Sequence, residues 1–331
     1  MKTRILLTVS FVLGLVALTG CDSSKSKEVS VGSPEPLTIS TYSGDISSLF
    51  WVARDQGYFS EHGVNVDFRI QESGLAAFRD LLAGNADLAT TAEFVLARHV
   101  AELQDIRILA LVAQIDNVRL VARRDRGITR LADLRNKRIG LARNSVGEYF
   151  LHLLLVLEEI PLKEVQMVDL QPSDQVQAIA KGDIDAAVVW EPFPLQMEQE
   201  LGANAVAWTA QSGQDYYWLL VGRDETVRKR SRAICGVLAA LAAADEFIRN
   251  HRDDAERIVA SQLGSDHIPD IWEKPGLKIE LSRPFVLAME AEMRWMNSRN
   301  GAQTFRMPDL VDFIHFEALE SVNPEKVKML H

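Results

Sequence analysis

Cysteine is almost missing from this chain: Cys21 and Cys235 are the two present in 331 residues. A disulfide framework is therefore excluded as the organising device. Cys235, inside the Ala- and Leu-rich run 233–244, reads as a buried, inert thiol. Metal-site spacings are lacking too. The seven histidines, at 62, 99, 152, 251, 267, 315 and 331, are scattered and form no close cluster with Cys or carboxylates. No Gly-x-Gly-x-x-Gly follows a strand pattern, and neither a Gly-Lys-Ser/Thr phosphate loop nor a Gly-x-Ser-x-Gly elbow occurs. These gaps argue against an enzyme, and nothing calls for a cofactor or a metal. Positive charge is scarce as well: the formal net charge is −10, which argues against nucleic-acid binding. Beyond the first residues no apolar run reaches the roughly 20 residues of a spanning helix.

What is present begins at the N-terminus. Lys2 and Arg4 precede an apolar run, 5–18, that is short for a membrane span. It ends in Leu18-Thr19-Gly20-Cys21, which resembles a bacterial lipobox. The resemblance implies a lipoprotein signal peptide over 1–20 and lipidation of Cys21. Cleavage would take the formal charge to about −12 by removing Lys2 and Arg4. Residues 21–36, rich in Ser, Lys, Gly and Pro, read as a flexible tether. Stable anchoring takes more than one acyl chain, which a diacylated or triacylated Cys supplies. Asp22 resembles the retention signal of Gram-negative lipoproteins. The expected location is thus the cell envelope, on the periplasmic face of the inner membrane.

From Leu37 the pattern alternates. Period-two runs at 37–42, 64–70, 88–90, 106–113 and 118–123 predict strands, with helices over 48–55, 75–83 and 93–103 between them. Ser47 or Ser48 is the expected cap of the first helix, and Val64, Val66, Phe68 and Ile70 the inward face of the second strand. The pattern then restarts, with strands at 137–142, 166–170, 186–190, 203–208 and 216–222 and helices at 147–159 and 173–181. Residues 224–330 read almost entirely as helices. Such alternation predicts an α/β fold with largely parallel sheets. The two restarts suggest two lobes, 37–116 plus 222–331 and 117–221, joined by crossings near 116–123 and 215–222.

Polar residues recur where predicted strands end. Ser43, Gly44 and Asp45 follow the first strand and Thr90 and Thr91 the third. Asn144 and Ser145 precede a helix, and Trp190 and Glu191 follow the strand at 186–189. Open α/β sheets bind ligands at such ends, where helix N-termini offer unpaired N–H groups. A plain helix cap is the competing reading for each Ser and Thr. It also competes for Glu191, because Pro192 suits a first helical turn.

Four segments then carry a resemblance. Gln56-Gly57-Tyr58-Phe59 through Gly63-Val64-Asn65-Val66, Gly84-Asn85-Ala86-Asp87, Asp133-Leu134-Arg135-Asn136-Lys137-Arg138-Ile139-Gly140, and Gly182-Asp183-Ile184-Asp185-Ala186 occur in this order. Together they resemble the signatures of solute-binding proteins of ABC transporters, in the nitrate/sulfonate/taurine and thiamine-precursor group. Asn136 stands where that family usually has Gly. The resemblance covers about 37–222 and implies a type II periplasmic-binding-protein fold: two α/β lobes, a two-crossing hinge and a helical C-terminal segment. It implies a small-molecule ligand held by Ser43, Gly44, Asp45, Gly74, Thr90, Thr91, Asn144, Ser145, Trp190 and Glu191. Tyr216, Tyr217 and Trp218 lie near the second crossing. Tyr217 is the expected stacking ring, and core packing is the alternative for all three. The implied partners are a membrane permease and its ATPase, with the binding protein a monomer.

The ligand is argued from charge. No Lys or Arg lies in the strand-end loops, Arg119 and Arg143 being nearest in sequence, while Asp45 and Glu191 offer carboxylates. A buried carboxylate needs a partner, so a ligand bearing N–H groups is expected: a pyrimidine-like compound or an aminosulfonate such as taurine, ahead of nitrate or bicarbonate. The alternative to transport is a sensor lipoprotein that presents its ligand to a membrane signalling receptor. A pyrimidine-synthesising enzyme on the same fold would need a His or Cys cluster.

Overall fold

Twelve strands fall into two sheets in the computed structural model, which describes residues 33–100, 102, 104–264, 276–300 and 307–329. The lipobox, Cys21 and most of the tether lie outside these residues. The strands are β1 (Glu35–Tyr42), β2 (Val64–Gln71), β3 (Leu88–Ala92), β4 (Ile106–Ile115), β5 (Val118–Arg123) and β6 (Arg138–Leu141). They continue with β7 (Gln166–Asp169), β8 (Ala186–Trp190), β9 (Ala205–Thr209), β10 (Tyr216–Arg223), β11 (Leu277–Ser282) and β12 (Val327–Lys328). The helices are α1 (Ser48–Asp55), α2 (Tyr58–Glu61), α3 (Gly74–Leu82), α4 (Glu93–His99), α5 (Val146–Leu157) and α6 (Pro172–Lys181). After them come α7 (Phe193–Leu201), α8 (Asp224–Lys229), α9 (Ser231–Asn250), α10 (Arg252–Leu263), α11 (Arg283–Asn300) and α12 (Phe316–Val322).

The seven-stranded sheet runs β12-β11-β4-β10-β3-β1-β2 and the five-stranded sheet β7-β6-β8-β5-β9. Parallel pairs join β1 to β2 and β3, β6 to β7 and β8, and β11 to β12. The expectation of largely parallel sheets needs correction. β10 is antiparallel to β3 and β4, β11 to β4, and β5 to β8 and β9. Parallel pairing requires a crossover, usually a helix. β5 leaves β4 through residues 116–117, and β10 leaves β9 through residues 210–215, with no helix in either link.

The C-terminal segment also differs from the reading. Residues 277–282 form β11, which adds to the larger sheet instead of continuing a helix. The alternation Leu277-Lys278-Ile279-Glu280-Leu281-Ser282 carried the signal: the three apolar residues are buried, and Lys278 and Glu280 pair at 3.0 Å. In β2 the apolar stripe fades along the strand. Val64 is buried against Gly236 of α9, where a methyl would meet Val64 Cγ2 at 2.5 Å. Ile70 is 48% exposed, because β2 is the sheet edge and its far end runs past the covering helices.

Two of the motifs behind the resemblance turn out to be one structural device used twice. Asp87, just before β3, accepts the Thr38 N–H of β1 at 2.8 Å, and its own N–H donates to Thr38 O. Asp185, just before β8, accepts the Arg138 N–H of β6 at 2.9 Å, and its own N–H donates to Arg138 O. Each aspartate extends the ladder between parallel strands by one position and takes an arginine, Arg230 or Arg138, on its other oxygen. Gly84 and Gly182 supply the positive φ, +75° and +80°, that ends the preceding helix. Asn136, at φ 62°, fills a left-handed position that Asn tolerates better than most residues.

Candidate ligand-binding cleft

Strand ends and helix starts from both sheets converge on one cleft. Its lining residues are Tyr42, Ser73, Gly74, Leu75, Ala92, Val95, Ser145, Val146, Trp190, Tyr216 and Trp218. Tyr42 ends β1, Ser73 to Leu75 open α3, and Ala92 and Val95 span the β3–α4 junction. Tyr216 and Trp218 stand two apart on β10 and so share a face. Ser145 and Val146 open α5, and Trp190 ends β8.

Three of the expected site residues line the cleft: Gly74, Ser145 and Trp190. Gly74 is there for lack of space. A methyl on it would meet Trp218 Cη2 at 2.4 Å and Thr91 Cα at 3.0 Å, so the indole lies against the bare start of α3. Ser145 is also a cap, its Oγ accepting the Gly147 N–H at 3.2 Å and donating to Ala142 O at 2.6 Å. Ser73 caps α3 in the same way, accepting the Ala76 N–H at 3.1 Å.

The other expected residues are near the cleft but are not among its lining residues. Gly44 packs against Tyr42, whose Cε1 would sit 2.3 Å from an added methyl. Ser43 is half-buried beside it. Asp45 is buried in the 3₁₀ turn before α1, with Oδ1 accepting the Ile46 N–H at 2.9 Å. Ser47 and Ser48 do not cap α1 through their side chains: Ser47 Oγ bonds Thr41 Oγ1 at 3.0 Å, and Ser48 Oγ donates to Asp45 O. Thr90 bonds Thr41 at 2.7 Å, and Thr91 lies beneath Gly74. Asn144 takes a left-handed turn at φ 62°, its N–H donating to Glu148 Oε2 at 2.8 Å.

Glu191 and Tyr217 depart furthest from expectation. Glu191 lies two residues before the first residue of α7, and its side chain is half-buried. Burial, with the charge of Asp45 adding to it, pushes its pKa up to about 7. Its carbonyl accepts the Tyr42 hydroxyl at 2.7 Å, joining the two halves of the cleft. Tyr217 lies on the opposite face of β10 from the lining pair, and its N–H donates to Glu93 Oε2 at 2.9 Å. The cleft is lined by Tyr216 and Trp218 of the aromatic trio and not by Tyr217. Alternation put Tyr216 and Trp218 together but could not say which side faced a cleft.

Among the described residues, no charged side chain lines the cleft. What it offers polar ligands is mostly hydrogen-bond donors. The first N–H groups of α3 and α5 have no acceptor within their own helices, and the positive dipole ends of both helices lie at the lining. Trp218 Nε1, in a residue only 4% exposed, has no hydrogen-bond partner among the described residues. The hydroxyls are already committed: Tyr42 to Glu191 O, and Tyr216 to Asn117 Oδ1 at 3.0 Å. Burial and the nearby Asp45 charge hold both phenols well above the ordinary tyrosine pKa, so they remain protonated. Apolar walls from Leu75, Val95, Val146, Trp190 and the edge-on pair Tyr42–Trp218 (6.5 Å, 72°) complete the site.

The links between the sheets are clipped by one side chain. Gln211 is fully buried; its Oε1 accepts the Val118 N–H at 2.8 Å, and its Nε2 donates to Ile115 O at 2.9 Å and Gln214 O at 2.7 Å. Both crossing segments are thereby tied at one point.

The NMT1/THI5-like family model matches residues 47–255, and the chain belongs to that family. Among relatives, a provisionally named binding protein of Brucella abortus is 26% identical over 272 residues, 80% of each chain. The taurine-binding periplasmic protein of Escherichia coli is 30% identical over 147 residues, 44% of this chain and 45% of that one. Among solved structures, the alkanesulfonate-binding protein SsuA from Xanthomonas axonopodis pv. citri, bound to MOPS, has a TM-score of 0.69 at 16% identity. That match covers 86% of this chain and 99% of the other. The desulfurization enzyme DSZB shares the fold too, with a TM-score of 0.63 at 16% identity over 88% and 99% of the two chains. The type II binding-protein architecture expected from the sequence is thus the architecture found.

Proposed function

We propose that this chain is the solute-binding component of an ABC importer and that it captures a small organic sulfonate between two lobes, each built on one sheet. The observation that carries the ligand class is a cleft lined by N–H donors and apolar walls, without a charged side chain. A sulfonate oxygen accepts from such donors, and helix N-termini favour a negative group. The apolar walls suit a short organic tail, which nitrate lacks. Asp45 and Glu191 lie outside the lining, so no cleft carboxylate calls for an amine or a pyrimidine, and taurine fits through its sulfonate. The taurine- and alkanesulfonate-binding relatives support the same class.

Binding rather than catalysis is the reading because both cleft serines are occupied as helix caps and, among the described residues, no His or Cys lines the cleft. The protein would act as a monomer at the periplasmic face of the inner membrane, tethered by lipidated Cys21, and deliver its ligand to a permease and ATPase. Calorimetry with ethanesulfonate, taurine, uracil and nitrate tests the ligand class. The two sulfonates should bind at least tenfold more tightly than uracil or nitrate. Tight uracil or nitrate binding with weak sulfonate binding would overturn it.

A further inference from the structure

A pair of carboxyls is buried behind the cleft wall. Glu93 opens α4 and Glu292 lies within α11; they are 1% and 2% exposed. Glu93 Oε2 accepts the Tyr217 N–H at 2.9 Å. Glu292 Oε2 has no hydrogen-bond partner among the described residues. Phe94, Tyr149 and Trp295 pack around the pair with ring centroids 5.3–5.9 Å apart.

No cation among the described residues acts on either carboxyl. The titratable groups on the packed elements are Tyr149 and His152 of α5, Tyr216 and Tyr217 of β10, and Arg98 and His99 of α4. On α11 itself Glu290 and Arg294 are paired with each other on the outside, and Asp312 lies in the short turn packed against that helix. Two adjacent buried negative charges without a cation are costly, and such pairs retain a proton. The Tyr217 N–H makes Glu93 the first of the two to ionise and leaves the last proton on Glu292.

This arrangement sits directly under the ligand site. Tyr217 separates the lining residues Tyr216 and Trp218, and Glu93 separates the lining residues Ala92 and Val95. The Glu93–Tyr217 bond therefore ties two walls of the cleft together. We propose that Glu93 and Glu292 share one proton, and that this proton keeps the Tyr216–Trp218 wall seated against the start of α4. Loss of the proton sets two like charges side by side and releases the wall.

Burial pushes both groups above the ordinary carboxylate range, Glu93 to about 8, and the Glu93 charge raises Glu292 further. The folded chain then holds protons that the unfolded chain has already lost, and stability falls as pH rises from about 4.5 through about 8. Glu292→Gln keeps the neutral shape and removes the dependence.

Two ligand-free measurements on the whole chain test this. Infrared difference spectra should show a protonated carboxyl C=O band at about pH 7 that fades at higher pH and is missing in Glu292→Gln. Glu93→Gln provides a second variant, expected to lose the same pH-dependent fading, should Glu292→Gln not fold. The emission of Trp218, isolated by subtracting Trp218→Phe, should shift over the same pH range in wild type and stay fixed in Glu292→Gln. A band unchanged by both substitutions overturns the shared proton. A Trp218 shift that persists in Glu292→Gln, or no shift in wild type, overturns the link to the cleft wall.

Discussion

At the scale of single residues, Gly74 and Trp218 act as one unit. The indole occupies the volume that a Cβ on residue 74 would need, and Thr91 backbone closes the other side. Gly74→Ala is therefore overpacked, at a cost of about 1–3 kcal/mol, and it displaces the indole. Sulfonate affinity should fall by more than the melting temperature alone suggests, as calorimetry beside thermal unfolding would show. Trp218→Phe removes the indole N–H together with the outer ring that packs on Gly74. At least tenfold weaker binding is expected, with a stability loss of about 1–3 kcal/mol from the vacated volume. Unchanged affinity would show that the indole N–H does not reach the ligand. Glu191 titrates on its own account. Its raised pKa of about 7 means that the folded chain holds a proton the unfolded chain has released, so stability declines as pH rises from about 4.5 to about 7. Glu191→Gln should flatten that part of the melting-temperature profile.

Secondary-structure elements show how the motifs and the site divide the work. Asp87 and Asp185 lie in the segments that reveal the family, yet each serves as a ladder extension between parallel strands. Asp185→Ala leaves the Arg138 N–H and guanidinium short of their acceptor and should cost about 1–3 kcal/mol in denaturant unfolding. Ligand affinity of the folded fraction should be unchanged. These turns were legible because they are local: a left-handed Gly, a helix end and an aspartate lie within four residues. The cleft was less legible. Gly74, Ser145 and Trp190 could be placed because a helix start or strand end marks each of them. Leu75, Val95 and Val146 carry no such mark, since an apolar residue next to a helix start looks the same whether it faces core or cleft. β11 was legible in its alternation but was hidden among helices.

For the whole molecule, the contacts between the two halves set its behaviour. Tyr42 OH reaches Glu191 O at 2.7 Å, Ser173 Oγ reaches Glu72 Oε2 at 3.1 Å, and Phe94 stacks on Tyr149 at 5.6 Å and 27°. A ligand touching both halves favours this arrangement by its differential affinity for it. Small-angle scattering should record a smaller radius of gyration with ethanesulfonate than without. Gln211 ties both crossings and fixes the pivot; Gln211→Leu strands the Val118 N–H and the Ile115 and Gln214 carbonyls. A loss of several kcal/mol, about 1–3 per stranded group before relaxation, is expected, with a broader scattering profile in the absence of ligand.

What the sequence determined by itself was local or additive: the alternation that yields two α/β halves, the turns, the acidic charge and the family. These depend on the order of neighbouring residues or on simple totals, which survive without a fold. Tertiary structure decided which face of β10 meets the cleft, that the Asp45 and Glu191 carboxylates lie outside its lining, and that Glu93 and Glu292, 199 residues apart in the chain, are both buried. β10 lies between β3 and β4 inside the larger sheet with both edges paired, and its side chains are buried or half-buried on both faces, so alternation alone cannot tell cleft from core. Only the packing of α3 and α4 and the approach of α5 and β8 make that distinction.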